Sequence, residues 1–298
     1  MNPLHFSLKQ LQVFLAVAHH RNVSRAAEQL AMSQSACSSA LKDLESQYGL
    51  QLFDRVGKRL QANELGDYLR PKAEALLAQA REFEQALSQQ PDAGELRVGA
   101  TLTIGNYLAV SLINRYIHDN STGKVKLEVA NTEQITERLL NFDIDVGMIE
   151  GEVQHPALSV QRWRSDELVC FCAPDHPLAK QQHLTDVDLE NALWILREKG
   201  SGTRQTFDRG MHGLLPNLHI SLELQHTEAI KRAVEAGLGI SCLSRISLED
   251  AFKRGSLVPL QTPHRDFSRD LYLATHKQKY RGVGLNRWLV ICESYANS

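Results

Sequence analysis

"NVSRAAEQLAMSQSACSSALKDLESQYG", Asn22–Gly49, decides the architecture of the N-terminal part of the chain. Asn22 can accept a hydrogen bond from the first turn of a helix that starts at Val23, and Ser33 can do the same for one that starts at Gln34. Gly49 suits the left-handed end of the second helix. Val23, Ala26, Ala27 and Leu30 share a face of the shorter helix. Cys37, Leu41, Leu44 and Tyr48 recur at i, i+4, i+7 and i+11, which assigns them to the core side of the longer one. Upstream, Leu8, Leu11, Phe14, Leu15 and Val17 lie at helical spacing in "LKQLQVFLAVAHH". Two short helices joined by the break "AMS" and packed on a preceding helix make a helix-turn-helix.

The other side of the longer helix carries Gln34, Ser35, Ser38, Ser39 and Lys42. Short polar side chains let a helix lie close to the major groove, where Gln pairs with adenine and Ser or Lys reaches bases or phosphates. Each residue alone reads equally well as a solvated surface position; the argument rests on the constellation. "LQLFDRVGKRLQANELG" follows, a hairpin with its turn at Gly57 and Arg55, Lys58 and Arg59 near the tip. Such a wing lays cations along the phosphate backbone or into the minor groove, although a charged tip is often only a solubilising turn.

Asn63 can cap a long helix running to about Ser88, with Leu69, Ala73, Leu76, Leu77, Ala80, Phe83 and Leu87 as its apolar stripe. At 1.5 Å per residue it extends about 37 Å, too far for the small head to cover. A partner helix from a second chain is the expected cover, with the stripe containing Leu69, Leu76 and Phe83 between the chains. "QQPDAGE" then breaks the pattern as a linker. From Glu95 onward, strands such as "ELRVGA", "KVKLEVAN", "IDVGMIEG", "DELVCFCAP", "LWILRE", "HISLELQ", "LGISCLS" and "DLYLATH" alternate with amphipathic helices such as "NYLAVSLINRYIHD" and "TEQITERLLN". That alternation builds α/β layers.

Charge divides along the same lines. Through residue 60 there are seven basic and four acidic residues, a surplus of three in a chain of net charge −2. A basic head on an acidic body suits nucleic-acid binding by the head alone. The five cysteines (Cys37, Cys170, Cys172, Cys242, Cys292) are odd in number and several sit in apolar runs, as expected of buried free thiols in a reducing compartment. Cys170 and Cys172 share a strand face but have no nearby His or Cys to complete a metal site. The opening segment is too polar for a secretory signal, and no apolar run is long enough for a membrane span. A cytoplasmic protein without membrane, metal or cofactor is the expectation.

Three expected helix starts in the second half carry hydroxyls: Thr101 and Thr103 before Gly105, Ser201 and Thr203 beside Gly200 and Gly202, and Thr227 after His226. Free backbone N–H groups and hydroxyls bind oxyanions well, and Arg197 at the end of "LWILR" can balance charge. Taken singly, these Ser and Thr residues are as readily plain helix caps. Glu150, at the end of "VGMIE", belongs to the same cleft and opposes a dianion. It would pair with Arg197, accept a proton from a ligand such as bisulfite, or favour a zwitterionic or cationic effector.

The run "AAEQL…SQSACSSALKDLE…LFDR", together with "LRVGATLTIGNYL", "IDVGMIEG" and "AVEAGLGISCLS", resembles the LysR-type transcriptional regulators over essentially the whole chain. The resemblance implies an α+β multi-domain protein. A winged helix-turn-helix DNA-binding domain would span 1–63 and a dimerisation linker helix 64–90. An effector domain would span 95–298, two-lobed like periplasmic binding proteins, with lobe one at 95–164 and 268–298 and lobe two at 165–267. It also implies a homodimer or a homotetramer of paired dimers on a palindromic promoter, an effector in the interlobe cleft, and contact with RNA polymerase. By the family pattern Gln34, Ser35, Ser38 and Ser39 face bases and Arg55 is the wing contact. Ser35 stands where many members have Pro, and Ser39 where many have Arg, which puts the base preference there in doubt. "TLTIGNY", "GMIEG", "ILREKGSGTR" and "EAIKRAVEAGLGISCLSR" most resemble the sulfur-metabolism, sulfite-responsive branch.

The expected effector is therefore a small sulfur oxyanion such as sulfite, bordered by Thr101, Thr103, Glu150, Arg197, Ser201, Thr203, His226 and Thr227. An organic acid or an amino-acid-derived effector is the alternative. A solute-binding transport protein would explain the second half but not the head. An enzyme is not expected, because no nucleophile elbow, phosphate loop or His-Glu-x-x-His pair occurs.

Overall fold

The computed structural model describes residues 4–57, 59–87, 95–119 and 123–296. In the head, α1 (Leu8–His20) is opened by Ser7, whose hydroxyl accepts from Gln10 N at 3.2 Å while the Gln10 side chain accepts from Ser7 N at 2.8 Å. Asn22 caps α2 (Val23–Gln29) and Ser33 caps α3 (Gln34–Tyr48), which ends at Gly49 with φ 63°. Phe14, Val17, Ala26, Ala27, Cys37, Leu41 and Leu44 form the core of the head. Tyr48 departs from the expected pattern and is half exposed; the buried positions of α3 end at Leu44. β1 (Phe53–Val56) and β2 (Arg59–Ala62) pair antiparallel around Gly57. The return strand thus runs two residues past Leu60.

α4 (Glu64–Leu87) divides its apolar residues between two faces. Ala73 and Leu77 are buried, and Leu69 packs against the head core. Leu69 therefore packs partly on its own head. Leu65, Tyr68, Leu76, Phe83 and Leu87 are exposed along the other side.

The remaining elements are β3 (Glu95–Ala100), α5 (Leu102–Tyr107), α6 (Ala109–Asp119), β4 (Lys124–Val129), α7 (Thr132–Leu140), β5 (Val146–Glu150) and β6 (Leu158–Cys172). They continue with α8 (Asp186–Asn191), β7 (Leu193–Arg197), α9 (Gly202–Gly210), β8 (His219–Leu224), α10 (Thr227–Glu235) and β9 (Ser241–Ser244). The chain closes with α11 (Arg245–Arg254), β10 (Val258–Leu260), β11 (Ser268–His276) and α12 (Val283–Ala296). The one helix expected over "NYLAVSLINRYIHD" is two, broken at Leu108.

One sheet runs in the order β10-β6-β11-β5-β3-β4, with β9 also paired to β6. β3 lies parallel to β4 and β5, while β11 is antiparallel to both β5 and β6. The strand expected at "DELVCFCAP" is the second half of a 15-residue strand. The first half of β6 pairs with β11, the second with β9 and β10. β6 therefore passes from one apolar core, around Val98, Met148 and Trp288, to another around Trp194, Phe207 and Cys242. These cores are lobe one and lobe two below. All five cysteines are free and buried.

Candidate functional site

Parallel strands leave their C-terminal ends, and the helix starts that follow them, along one edge of each lobe. Lobe one contributes Thr101 and Thr103 after β3, Thr132 after β4, and Glu150 at the end of β5. Lobe two contributes Arg197 at the end of β7, Ser201 and Thr203 at the start of α9, and Thr227 at the start of α10. Thr101, Thr103, Glu150, Arg197, Ser201, Thr203 and Thr227 are all buried, whereas His226 is exposed and caps nothing with its side chain.

Glu150 is the centre of the arrangement. Its Oε1 accepts from Thr103 N at 2.7 Å, and its Oε2 accepts from the Thr203 hydroxyl at 3.1 Å. Arg269 of β11 sits 2.9 Å from Oε2. Arg269 also donates through Nε to Asp166 at 2.8 Å, through Nη1 to Thr203 Oγ1 at 3.1 Å, and through Nη2 to Thr103 Oγ1 at 3.4 Å. Burial pushes the Glu150 carboxyl up, but Arg269, the threonine hydroxyls and Arg197 outweigh it and hold the group below the usual carboxylate range. A buried, ionised carboxylate thus fills the place between Thr103 and Thr203 that the sequence reading reserved for a ligand.

Arg197 does not pair with Glu150. Its Nε and Nη2 fork onto Glu198 at 2.8 and 3.0 Å, a bidentate geometry that the adjacent carboxylate meets better. Thr227 Oγ1 is buried without a hydrogen-bond partner, and Ser201, at the start of α9, makes no side-chain cap bond. The lobes are also tied across the rim, where Tyr107 of α5 donates to Glu228 of α10 and Lys231 pairs with the same carboxylate at 2.7 Å. Burial, followed by the hydrogen bond to Glu228, raises the Tyr107 hydroxyl well above its ordinary value.

Arg269, Asp166, Thr132 and Glu198 were not singled out from the sequence. Arg269 had one local signal: it occupies an inward position of β11, in register with Leu271 and Leu273. Arg269 and Asp166 also border a 620 Å³ cavity with Gly151, Gln205, Arg209 and Tyr272.

On the head, Gln34, Ser35, Ser38, Ser39 and Lys42 are exposed on the side of α3 opposite Cys37, Leu41 and Leu44. Ser35 Oγ lies 3.1 Å from Ser33 Oγ, beside the helix cap. Arg55 and Arg59 are exposed on the hairpin, and Lys58 lies outside the described residues. Among the described residues no cluster of three His, Cys, Asp or Glu side chains could hold a metal, and no helix is long and apolar enough to cross a membrane.

Two family models cover this arrangement: "Bacterial regulatory helix-turn-helix protein, lysR family" matches residues 8–67, and "LysR substrate binding domain" matches residues 89–296. The HTH-type transcriptional regulator YeiE of Escherichia coli K12, itself described as uncharacterized, is 44% identical over 290 residues, covering 97% of this chain and 98% of its own. A full-length OxyR variant from Pseudomonas aeruginosa superposes with a TM-score of 0.73 at 21% identity, over 99% of this chain and 96% of its own. Full-length CbnR in complex with its target DNA matches with a TM-score of 0.58 at 20% identity, over 97% and 99% of the two chains. The chain belongs to the LysR family of DNA-binding transcriptional regulators, with an N-terminal helix-turn-helix and a C-terminal effector-binding domain.

Proposed function

We propose that this regulator senses a small sulfur oxyanion, sulfite first among them, at the place now held by the Glu150 carboxylate. One observation carries the reading: the cleft already cradles an oxyanion. A carboxylate there receives a backbone N–H, a hydroxyl and a guanidinium at 2.7–3.1 Å. An incoming oxyanion would compete for the same donors, and Thr227 would add a buried hydroxyl that now lacks a partner. Glu150 and Asp166 share the single guanidinium of Arg269, so a dianion entering unchanged meets a net negative site. Bisulfite eases the conflict: it carries one charge fewer than a dianion and can donate its proton in a hydrogen bond to the ionised Glu150 carboxylate. The resemblance of this half to the sulfite-responsive branch supports the same choice.

DNA is read by Gln34, Ser35, Ser38, Ser39 and Lys42 of α3, with Arg55, Lys58 and Arg59 on the wing. The working units are the head over 1–63, the linker helix over 64–90 and the effector domain over 95–298, whose lobes divide near 164 and 268. The exposed face of α4 pairs with that of a second copy, giving a dimer or tetramer on a palindrome in the cytoplasm, where it contacts RNA polymerase. A second reading has its own support: Glu150 and Asp166 share one guanidinium, and the net negative charge left over would receive the ammonium group of an amino-acid-derived effector. Calorimetry with sulfite, sulfate, thiosulfate and O-acetylserine side by side decides between them. Heat with sulfite is the expected outcome; silence with every sulfur oxyanion but heat with an organic acid or amino acid would end the first reading.

A further inference from the structure

We propose that α7 is a strut that transmits the state of the cleft to the DNA-binding head of the same chain. Its two ends touch the two places that must communicate. At its start, Thr132 Oγ1 donates to Glu150 O at 2.8 Å and accepts from Gly202 N at 3.1 Å. Glu133 N donates to Gly200 O at 3.2 Å, and Asn131 Nδ2 donates to Glu198 Oε1 at 3.3 Å. The helix start is therefore bonded to lobe two as well as to the carboxylate strand of lobe one. Any change in how the lobes meet over Glu150 acts first on these bonds.

Nine residues later, about 13 Å along the axis, the helix ends in a turn that touches the head. Asn141 O accepts from Arg70 of α4, and Asp143 Oδ1 lies 2.7 Å from His19 Nδ1 of α1. Phe142 in this turn has φ 56°, with its ring 4.2 Å from that of His276. A bulky residue in the left-handed region is strained and holds its shape only under outside constraint.

The middle of the helix lies close against the sheet. Ile135 and Leu139 rest over Gly99 and Gly147, where an added Cβ would stand 3.1 Å from Ile135 and 2.7 Å from Leu139. Ile135 and Leu139 also pack with Ile144, Ile149, Leu158 and Ala274 in one buried cluster, so the helix shifts together with this part of lobe one as a single packed unit. The joint with the head is itself polar. His19, Arg70, Glu74, Asn141 and Asp143 line a 980 Å³ cavity between α1, α4 and lobe one, in place of a dry core. Polar, poorly filled joints between domains allow relative motion. Beyond it, Glu82 of α4 accepts from Tyr280 at 2.7 Å and from Val283 N at 3.1 Å, which fixes the linker helix to lobe one as a fulcrum.

This inference rests on the cleft controlling DNA binding, but its test adds no ligand, so a silent sulfite titration and a failed test are separate results. The experiment is a double-mutant cycle on DNA affinity in the full-length protein, with Thr132→Val at the cleft end and Asp143→Ala at the head end. Thr132→Val should change affinity for a bound promoter fragment by about fivefold in the wild-type background, within the usual range of allosteric coupling, and have almost no effect in the Asp143→Ala background. Thr132→Ser keeps the hydroxyl and should behave as wild type, which separates a lost bond from a misfolded chain. Amide exchange in the turn 141–145 should rise in Thr132→Val. Equal fold-changes in both backgrounds, or unchanged exchange in that turn, would overturn the proposal.

Discussion

Glu150 and Arg269 meet at 2.9 Å with both side chains 2% exposed, and Asp166, at 1%, takes the other edge of the same guanidinium at 2.7 Å. Removing the cation alone leaves two buried carboxylates uncompensated. Arg269→Met should therefore destabilise the effector domain by about 3–5 kcal/mol, whereas breaking an exposed pair such as Arg209–Glu152 should cost under about 1 kcal/mol. Urea denaturation of the two variants makes the comparison. Similar midpoints would mean that the buried triad carries no special weight.

The lowered pKa of Glu150 has a signed consequence. Its folded-state value lies below its unfolded value, so it contributes stability above the unfolded pKa, and that contribution is lost as pH falls through the folded pKa. Stability should decline as pH drops below the ordinary glutamate value of about 4.3. Glu150→Gln should flatten that decline. Denaturation curves taken from neutral to acid pH, wild type beside variant, read the difference directly.

Glu150→Gln also tests the ligand. If the carboxylate excludes dianions, the variant should bind sulfate more tightly than the wild type does, by tenfold or so for one removed charge-assisted contact. Thr203→Ala should impair the response more than Thr103→Ala. Thr203 uses its hydroxyl on Glu150, while Thr103 uses its backbone N–H, which alanine keeps. Both variants should retain basal DNA binding. Calorimetry with sulfate and sulfite, paired with DNA binding by anisotropy, checks all three points.

On the head, Arg55→Ala should weaken binding on many sequences and reduce the salt slope by about one. Gln34→Ala should instead change base preference at one position, by about 1–3 kcal/mol. Titrations at several salt concentrations against a small set of operator variants separate the two effects. If both variants bind like wild type, the exposed face of α3 is not the reading face.

Leu76 and Phe83 stand 43% and 67% exposed on α4, too apolar a stripe to remain in water. Leu76→Glu should dissociate the oligomer and lower DNA affinity, because a single half-site binds weakly. Light scattering that shows an unchanged mass would remove the paired-helix reading.

Local chemistry made the head legible from sequence. Asn22, Ser33 and Gly49 mark helix ends through bonds to residues three or four positions away, and Cys37, Leu41 and Leu44 mark a face through a period of 3.6. The strands at "ELRVGA" and "DLYLATH" and the hydroxyls at Thr101, Thr103, Ser201, Thr203 and Thr227 were readable for the same reason. Partners were not. Glu150 fits Arg197 or Arg269 equally well by charge, and only the antiparallel pairing of β11 with β5, which sets Leu271 opposite Glu150, brings Arg269 to the carboxylate. The same holds for β6, whose continuity through both lobes depends on β11, β9 and β10 arriving from far along the chain. Leu69 and Leu76 read as one stripe because helical period orders residues around an axis without saying what lies on each side. Tertiary packing set Leu69 partly on its own head and left Leu76 in water. Hydrogen bonds within a turn are written in neighbouring residues, whereas the choice among chemically equivalent distant partners is made only when the sheet closes.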